Sequence, residues 1–152
     1  MKIFWQTKTF QQLSTTELYQ ILNLRSAVFV VEQNCVFQDI DYKDQKALHC
    51  LGVVDNQIVA YSRLFNKGDY FQHASIGRVV IDPKYRNQKW GNDLMQYAIS
   101  EIYKNFNTHK ITISAQLYLK HFYQNNGFIQ TSDVYLEDDI EHIEMDYLPK
   151  MV

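Results

Sequence analysis

The first third of the chain combines one alternating segment with one helical repeat. Residues up to Phe10 alternate loosely between apolar and polar side chains, which predicts an edge strand. Ser14 and Glu17 have the spacing of a capping box, which marks a helix start. The positions that then recur at helical spacing are Leu18, Ile21, Leu22, Arg25, Val28 and Phe29. We therefore expect a helix over about residues 15–31, followed by a polar, acidic loop over residues 32–46.

The remainder of the chain alternates between strand and helix patterns. Apolar runs predict strands over residues 48–54, 57–65, 73–81, 110–114, 128–131 and 142–148. Helices are predicted from Gly91 onward and over residues 116–125, the second closed by Asn126-Gly127. Asp55-Asn56 predicts a tight turn, and residues 84–90 a polar loop. The resulting order, β-α-β-β-β-α-β-α-β-β, favours an α/β fold in which helices flank a mixed central sheet of six to seven strands.

Composition excludes several classes of protein. The chain has 152 residues, 46% of them hydrophobic and 21% charged, which is typical of one folded domain over residues 1–152. The net charge of −2 leaves no surplus of cations for binding nucleic acid. The longest apolar run, residues 27–31, is too short for a membrane span, and no secretory signal is evident. Two cysteines, Cys35 and Cys50, cannot by themselves form a four-ligand zinc site, so we expect no metal. Together with the missing membrane span and secretory signal, the low cysteine count leads us to expect a cytoplasmic protein.

The segment SIGRVVIDPKYRNQKWGNDLM, residues 75–95, carries the most specific chemistry. A strand ends at Asp82-Pro83, a polar loop follows, and a helix begins near Gly91. The N-terminus of a helix presents unpaired N–H groups and a positive dipole end, which suits a phosphate. Arg86 and Lys89 add cationic side chains there. The alternative interpretation is a surface loop with two solvated cations.

Two motifs in this half of the chain resemble the GNAT N-acetyltransferase superfamily. YRNQKWGNDLM resembles its pyrophosphate loop: Arg86 and Gly91 match, whereas Asn87 and Lys89 stand where glycine is common. SAQLYLKHFYQNNGF, residues 114–128, resembles its later motif, with Gln116 in place of a frequent Asn and Tyr123 on a helix that ends in Gly-Phe. Longer segments, among them LRSAVFVVEQNCVFQDIDYKD and VYLEDDIEHIEM, are similar to the ElaA-like branch of the superfamily.

The resemblance implies the GNAT acyl-CoA N-acyltransferase fold and the transfer of an acetyl group from acetyl-CoA, the cosubstrate, directly to an amine. It also implies the residues that bind acetyl-CoA, through strand backbone, loop N–H groups and one side-chain amide: Val79, Val80, Ile81, Arg86, Asn87, Gln88, Lys89, Trp90, Gly91, Asn92, Gln116 and Tyr123.

Tyr123 is the candidate general acid for the departing thiolate, and the alternative is a tyrosine that only packs in the core. A general base is also expected, because an alkyl amine is almost fully protonated at neutral pH. The candidates are Glu32, His142 and Glu144. If the last strand is regular, His142, Glu144 and Asp146 share one face. The alternative for His142 is a structural hydrogen bond.

Two acidic segments bear on the acceptor. Six carboxylates lie within residues 137–146: Glu137, Asp138, Asp139, Glu141, Glu144 and Asp146. Asp39, Asp41 and Asp44 follow the first helix. Such groups attract a cationic amine, which favours a small-molecule or peptide acceptor. The alternative is that both are solvated loops. The partners expected are this acceptor, no nucleic acid and no membrane, for a monomer or homodimer.

Two other functions fit parts of the pattern. Arg25, Phe29, Asp41, Asp44 and Arg63 occur in an order similar to the acyl-homoserine-lactone synthases. The two arginines and two aspartates would equally form an ion-pair network that pins the loop after the first helix, and we favour this interpretation. A non-catalytic CoA-binding module is the second alternative.

Overall fold

A computed structural model describes residues 1–149. Within them the strands are β1 (Phe4–Thr9), β2 (Leu48–Val54), β3 (Gln57–Phe65), β4 (Ser75–Ile81), β5 (Thr112–Gln116), β6 (Phe128–Gln130), β7 (Tyr135–Glu137) and β8 (Ile140–Tyr147). The α-helices are α1 (Thr15–Arg25), α2 (Trp90–Phe106) and α3 (Lys120–Asn125). A π-helix continues α1 over Ser26–Glu32, and short 3₁₀ turns occupy Phe10–Gln12, Asp44–Lys46, Pro83–Gln88 and Leu117–Leu119.

Two antiparallel sheets meet at one point. The first has the order β1-β2-β3-β4, and the second has the order β5-β8-β6 with β7 also paired to β8. A single parallel bridge, Ala74 to Ile111, joins them, and the Thr112 N–H donates to the Ala74 carbonyl at 2.8 Å. Beyond this bridge β4 and β5 have no ladder pairing within residues 1–149. The sheets therefore diverge and leave a cleft.

The helices cover both faces of the first sheet. Leu94, Met95 and Ile102 of α2 lie in the larger core cluster with Leu64, whereas Ile21 of α1 lies in a separate cluster with residues from the other face of β3. Eight of the nine residues of β3 are consequently buried, as expected for a strand covered on both faces. This arrangement fixes β4 and the N-terminus of α2 relative to each other.

The α/β fold predicted from the sequence is confirmed, with differences in detail. The strands number eight in two sheets, and the ladders within each sheet are antiparallel. The first helix was expected to end near Val31, but α1 ends at Arg25 and is followed by the wider π-turns. This segment contains Val28, Val30 and Val31, whose β-branched side chains are less favourable in an α-helix. The helix expected from Gln116 begins at Lys120, because Gln116 still belongs to β5.

Two further predictions need correction around the turns. The loop predicted over residues 84–90 is a 3₁₀ helix through Gln88, and α2 begins at Trp90. The last strand begins at Ile140 and not His142, because it forms a hairpin with β7, which the sequence analysis did not predict. Asp138 and Asp139 both have positive φ in the turn of this hairpin, which matches a type I′ connection.

Arg25 anchors the segment that follows the first helix. Its side chain is fully buried. The guanidinium donates from Nε to Asp39 at 3.0 Å and from Nη1 to Asp44 at 2.8 Å. A buried guanidinium is tolerated only when carboxylates balance its charge and satisfy its donors.

Two more arginines complete this ion-pair network. Arg63 donates to Asp41 at 2.6 and 2.9 Å and to Asp44 at 2.9 Å, and Arg78 donates to Asp39 at 2.7 Å. Burial by itself raises the pKa of Asp41, but the Arg63 hydrogen bonds and charge outweigh it and lower the pKa to about 2. The network predicted from the sequence is present, with three arginines against three aspartates, and it fastens the loop to β3 and β4.

Arg25→Ala should destabilise the protein strongly, because it leaves two buried carboxylates short of a counter-ion. We expect a loss of roughly 3–5 kcal/mol in the free energy of unfolding, measured by urea denaturation. Arg86→Ala is the matched control: it breaks a pair with Glu32 whose side chains are 42% and 40% exposed, at a cost of about 1 kcal/mol or less. Equal losses in the two variants would show that the network adds no special stability.

Candidate active site

A cleft of about 680 Å³ opens where β4 and β5 diverge. Backbone and side chains of β4, the C-terminal end of the π-helix, β5, α3 and the β7–β8 hairpin surround it. The residues that line it and that the sequence predicted are Glu32, Val79, Val80, Ile81, Arg86, Gly91, Gln116, Tyr123 and His142. Candidates that do not line it are Asn87, Gln88, Lys89, Trp90, Asn92 and Glu144.

The edge of β4 that faces the cleft is an unpaired strand edge. A bulge shapes it: Arg63 pairs with Gly77 and Tyr61 with Val80, so two residues of β4 lie opposite one residue of β3. The first of the two, Arg78, has φ of +50°. Bulges twist a strand away from further pairing, and an extended ligand can add to such an edge through main-chain hydrogen bonds.

The N-terminus of α2 lies at one end of this edge. Lys89 is the N-cap residue, and no side chain of residues 1–149 caps the helix, which leaves the first-turn N–H groups available. Lys89 adopts φ of +60° and ψ of 21°, the left-handed geometry for which glycine is common. Trp90 packs into a cluster with Val54 and Val59, so it leaves the groove open. A larger residue at position 91 would be crowded, because its Cβ would lie 3.2 Å from the Phe122 ring.

Residues 32–35 cross the mouth of the cleft, and we call this segment the strap. Glu32 accepts two hydrogen bonds from Arg86, at 2.6 and 2.7 Å. The amides of Gln33 and Gln116 donate to each other at 3.2 and 3.4 Å. Cys35 Sγ donates to the Asp138 carbonyl at 3.2 Å. The strap therefore contacts both walls, and two of its contacts are residues predicted to bind acetyl-CoA.

Tyr123 lies on α3 with its side chain directed toward the cleft. It is 7% exposed and makes edge contacts with Phe122 and Phe128, at ring-centroid distances of 5.1 and 6.1 Å. Burial raises the pKa of its phenol. The hydroxyl therefore stays protonated at neutral pH and can serve as a hydrogen-bond or proton donor.

His142 lies on the cleft face of β8, opposite Gln116 on one side and Tyr135 on the other. It is 6% exposed. Its Nδ1 lies 2.7 Å from the Ile140 carbonyl, and because a carbonyl only accepts, Nδ1 must carry the proton. In the neutral ring Nε2 then holds the lone pair. Nε2 lies 3.4 Å from Glu137 Oε2, so an imidazolium formed here would have a carboxylate partner.

Two residues of this region, Ser114 and Tyr135, were missed as site residues, and Glu137 was named only as one of six carboxylates. Ser114 hydrogen-bonds to the Tyr135 hydroxyl at 2.5 Å and donates to Glu137 at 3.2 Å. All three side chains belong to β5 or β7 and face the cleft side of the sheet. The signal was available: Asp138-Asp139 between two alternating segments is the pattern of a hairpin turn, which would have put Tyr135, Glu137 and His142 on one face.

Only part of the two acidic segments lies at the cleft. Asp39, Asp41 and Asp44 are the counter-ions of the buried arginines and not a free acidic patch. In the later run only Glu137 and Asp138 line the cleft. Glu141 pairs with Leu136 on the opposite face, and Glu144 and Asp146 share the His142 face, as expected, but lie beyond the cavity.

Residues 1–149 contain neither a metal-binding cluster nor a membrane-spanning helix. No group of three or more His, Cys, Asp or Glu side chains in that range could hold a metal ion. No helix in the same range is both long and apolar enough to cross a bilayer.

Comparison with known proteins identifies relatives over nearly the whole chain. The family model described as "Acetyltransferase (GNAT) domain" matches residues 10–149. Protein ElaA of Escherichia coli (strain K12) is 40% identical over 145 residues, which cover 94% of this chain and 95% of ElaA. The crystal structure of Escherichia coli ElaA superposes with a TM-score of 0.90 at 38% identity, covering 97% of this chain and 100% of that one. An acyl-CoA N-acyltransferase from Pseudomonas aeruginosa superposes with a TM-score of 0.91 at 36% identity, with the same coverage.

The left-handed backbone at Lys89 predicts an unusual order of stabilities. Lys89→Gly should unfold no more easily than wild type, because glycine accepts this geometry, whereas Lys89→Val should lose about 1 kcal/mol or more. Thermal or urea unfolding measures both. Lys84 is the matched control, because it lies in the 3₁₀ turn that precedes Lys89. At Lys84, glycine should lower the stability more than valine does. The same order at both positions would contradict the interpretation.

Proposed function

The chain belongs to the GNAT acetyltransferase family, and we propose on this premise that it transfers an acetyl group from acetyl-CoA directly to a primary amine of a small molecule or peptide. One observation carries the proposal. The open, bulged edge of β4 leads to the uncapped N-terminus of α2, and Tyr123 and His142 line the same cleft.

Acetyl-CoA fits this arrangement in two parts. Its pantetheine arm would lie along β4, hydrogen-bonded to backbone groups of Val79 and Ile81, with Gln116 as a side-chain partner. Its pyrophosphate would receive N–H groups from residues 87–92 at the start of α2, where the helix dipole favours an anion. Arg86 lines the same end of the cleft and would exchange Glu32 for a phosphate oxygen.

The reaction requires a neutral amine, a polarised carbonyl and a proton for the thiolate. An alkyl amine with a pKa of about 10.4 is neutral in only about one molecule in 2,500 at pH 7, equivalent to roughly 4–5 kcal/mol. The bulged backbone beside Val79 provides an N–H for the thioester oxygen. The amine attacks the carbonyl carbon, the C–S bond breaks, and Tyr123 gives its proton to the sulfur. The proton that the new amide nitrogen then loses returns to the Tyr123 oxygen, which restores the phenol.

His142 is the base that we propose among the three candidates. Glu32 is held by Arg86, whose hydrogen bonds lower the pKa of that carboxyl, which makes it a poorer base. Glu144 lies outside the cavity. His142 remains as the third candidate. Its Nε2 carries the lone pair of the neutral ring and would take the proton from the amine directly or through a water.

The residues shared with the acyl-homoserine-lactone synthases do not favour that reaction here. Arg25 and Arg63 are 0% and 1% exposed, and aspartates balance their charges. Because they cannot reach a ligand without breaking the network, they support the structural interpretation.

Calorimetry with acetyl-CoA and release of free CoA thiol in the presence of a pool of primary amines test the proposal together. We expect binding, and thiol release that requires an amine. Binding without release in any amine would favour the non-catalytic module, and absence of binding would refute both.

Tyr123→Phe should reduce kcat at least tenfold and leave the Kd of acetyl-CoA within about twofold, because general acid catalysis contributes roughly 10²–10⁴-fold and the ring still packs. Steady-state kinetics and calorimetry measure the two effects. Tyr97→Phe, on the outer part of α2, is the matched control and should retain kcat. Unchanged turnover in Tyr123→Phe would refute the role.

His142→Gln should slow transfer to ethylamine much more than transfer to 2,2,2-trifluoroethylamine. The second amine is far less basic and is already neutral at pH 7, so it needs no base. The kcat/KM ratio of the two amines measures this role separately from folding. Equal losses for both amines would show that His142 only positions neighbouring groups.

A further inference from the structure

A second, smaller cavity of about 50 Å³ adjoins the cleft. Gly77, Arg78, Ser114 and Glu137 line both cavities, so the two meet at these residues. Three aromatic side chains line it: Phe65 at the end of β3, and Tyr70 and Phe71 of the segment between β3 and β4. It lies on the side of Arg78 away from Val79–Ile81, so a ligand there would approach a bound thioester from the opposite end.

The arginines at this junction already have counter-ions. Arg63 is paired with Asp41 and Asp44, and Arg78 with Asp39. Of the nitrogens of these two arginines, Arg63 Nε is the one that is buried without a partner within residues 1–149. Because the charge of this guanidinium is balanced, that N–H suits a neutral oxygen better than a further carboxylate.

Glu137 is the charged group at the junction that no lysine or arginine of residues 1–149 balances. Its contacts are Ser114 Oγ at 3.2 Å and His142 Nε2 at 3.4 Å, and its side chain is 42% exposed. Burial and then the Glu137 charge raise the pKa of Tyr70 and outweigh the opposing charges of Arg78 and Arg63, which places that phenol within the field of the carboxylate. Asp138 next to it also lines the cleft. The local field is therefore negative, with aromatic rings beside it.

We propose that the acceptor binds where the two cavities meet, that Glu137 binds its ammonium group, and that the acceptors are primary amines with no carboxylate beside the amine. This inference rests on the proposed acetyltransferase function and names its substrate class. Glu137 and the aromatic rings both attract an ammonium. A carboxylate on the same carbon would face Glu137 and Asp138 with no uncommitted cation to offset the repulsion.

His142 is next to Glu137, so the two residues divide the work on the amine. Glu137 holds the charged form of the amine, and the adjacent Nε2 of His142 accepts the proton before attack. The His142 residue is only 6% exposed. Glu137 is thus a binding residue of the acceptor, and its loss affects KM before kcat.

Matched amines test the class. Phenethylamine and phenylalanine differ only in the carboxylate, as do isopentylamine and leucine. We expect kcat/KM to be at least tenfold higher for each amine than for its amino acid. The amino acid is slightly the weaker base in each pair, so basicity alone predicts the opposite order. Comparable values for amine and amino acid, or transfer to none of the four although acetyl-CoA binds, would overturn the inference.

Variants test the residue. Glu137→Gln should raise the KM for phenethylamine at least tenfold, reduce its advantage over phenylalanine, and leave the Kd of acetyl-CoA unchanged. Glu137→Asp should restore part of the effect. Glu141→Gln, on the opposite face of the hairpin, is the matched control and should behave as wild type. If Glu137→Gln keeps the wild-type preference, Glu137 is not the ligand, whereas absence of acetyl-CoA binding in the wild type would instead refute the acetyltransferase function.

Discussion

The separation of β4 from β5 after one bridge, Ala74 to Ile111, is the constraint on which the rest of the structure depends. A strand edge inside a protein is normally paired, because its N–H and carbonyl groups need partners. Here the bulge at Arg78 keeps the second sheet away, and both sheets remain anchored by the core around α2. The molecule therefore keeps an open strand edge in its sheet, to which an extended segment can pair.

The balance of charged side chains determines which ligands the Arg78 end of this open strand edge can bind. Three arginines and three aspartates neutralise one another beside β4. These ion pairs stabilise the position of the loop after α1, because separation of any pair would leave a buried charge without a partner. The carboxylate that remains, Glu137, is set by strand register on β7 and not by proximity in sequence to any catalytic motif.

Local patterns predicted most of the fold and part of the site. The capping box at Ser14 and the alternation along β2 and β3 are properties of a few adjacent residues, and both elements are present. Tyr123 and Gln116 were found because their motif resembles that of a family, and both line the cleft. What the sequence did not predict depends on distant contacts. Glu32 was a candidate base, but its partner Arg86 lies 54 positions away. The three-residue strand β7 gains its stability from β8 and is too short for a periodic signal of its own, so only the Asp138-Asp139 turn could have indicated it.

The Glu32–Arg86 pair at the mouth of the cleft has a thermodynamic consequence for any phosphate that arrives there. A phosphate oxygen that takes Arg86 replaces one anion with another and does not neutralise an isolated cation. The Coulomb gain at this position is the difference between two ion pairs, and the expelled carboxylate regains its hydration in water. Association at this end of the cleft should therefore respond less steeply to ionic strength than a count of its basic side chains would imply.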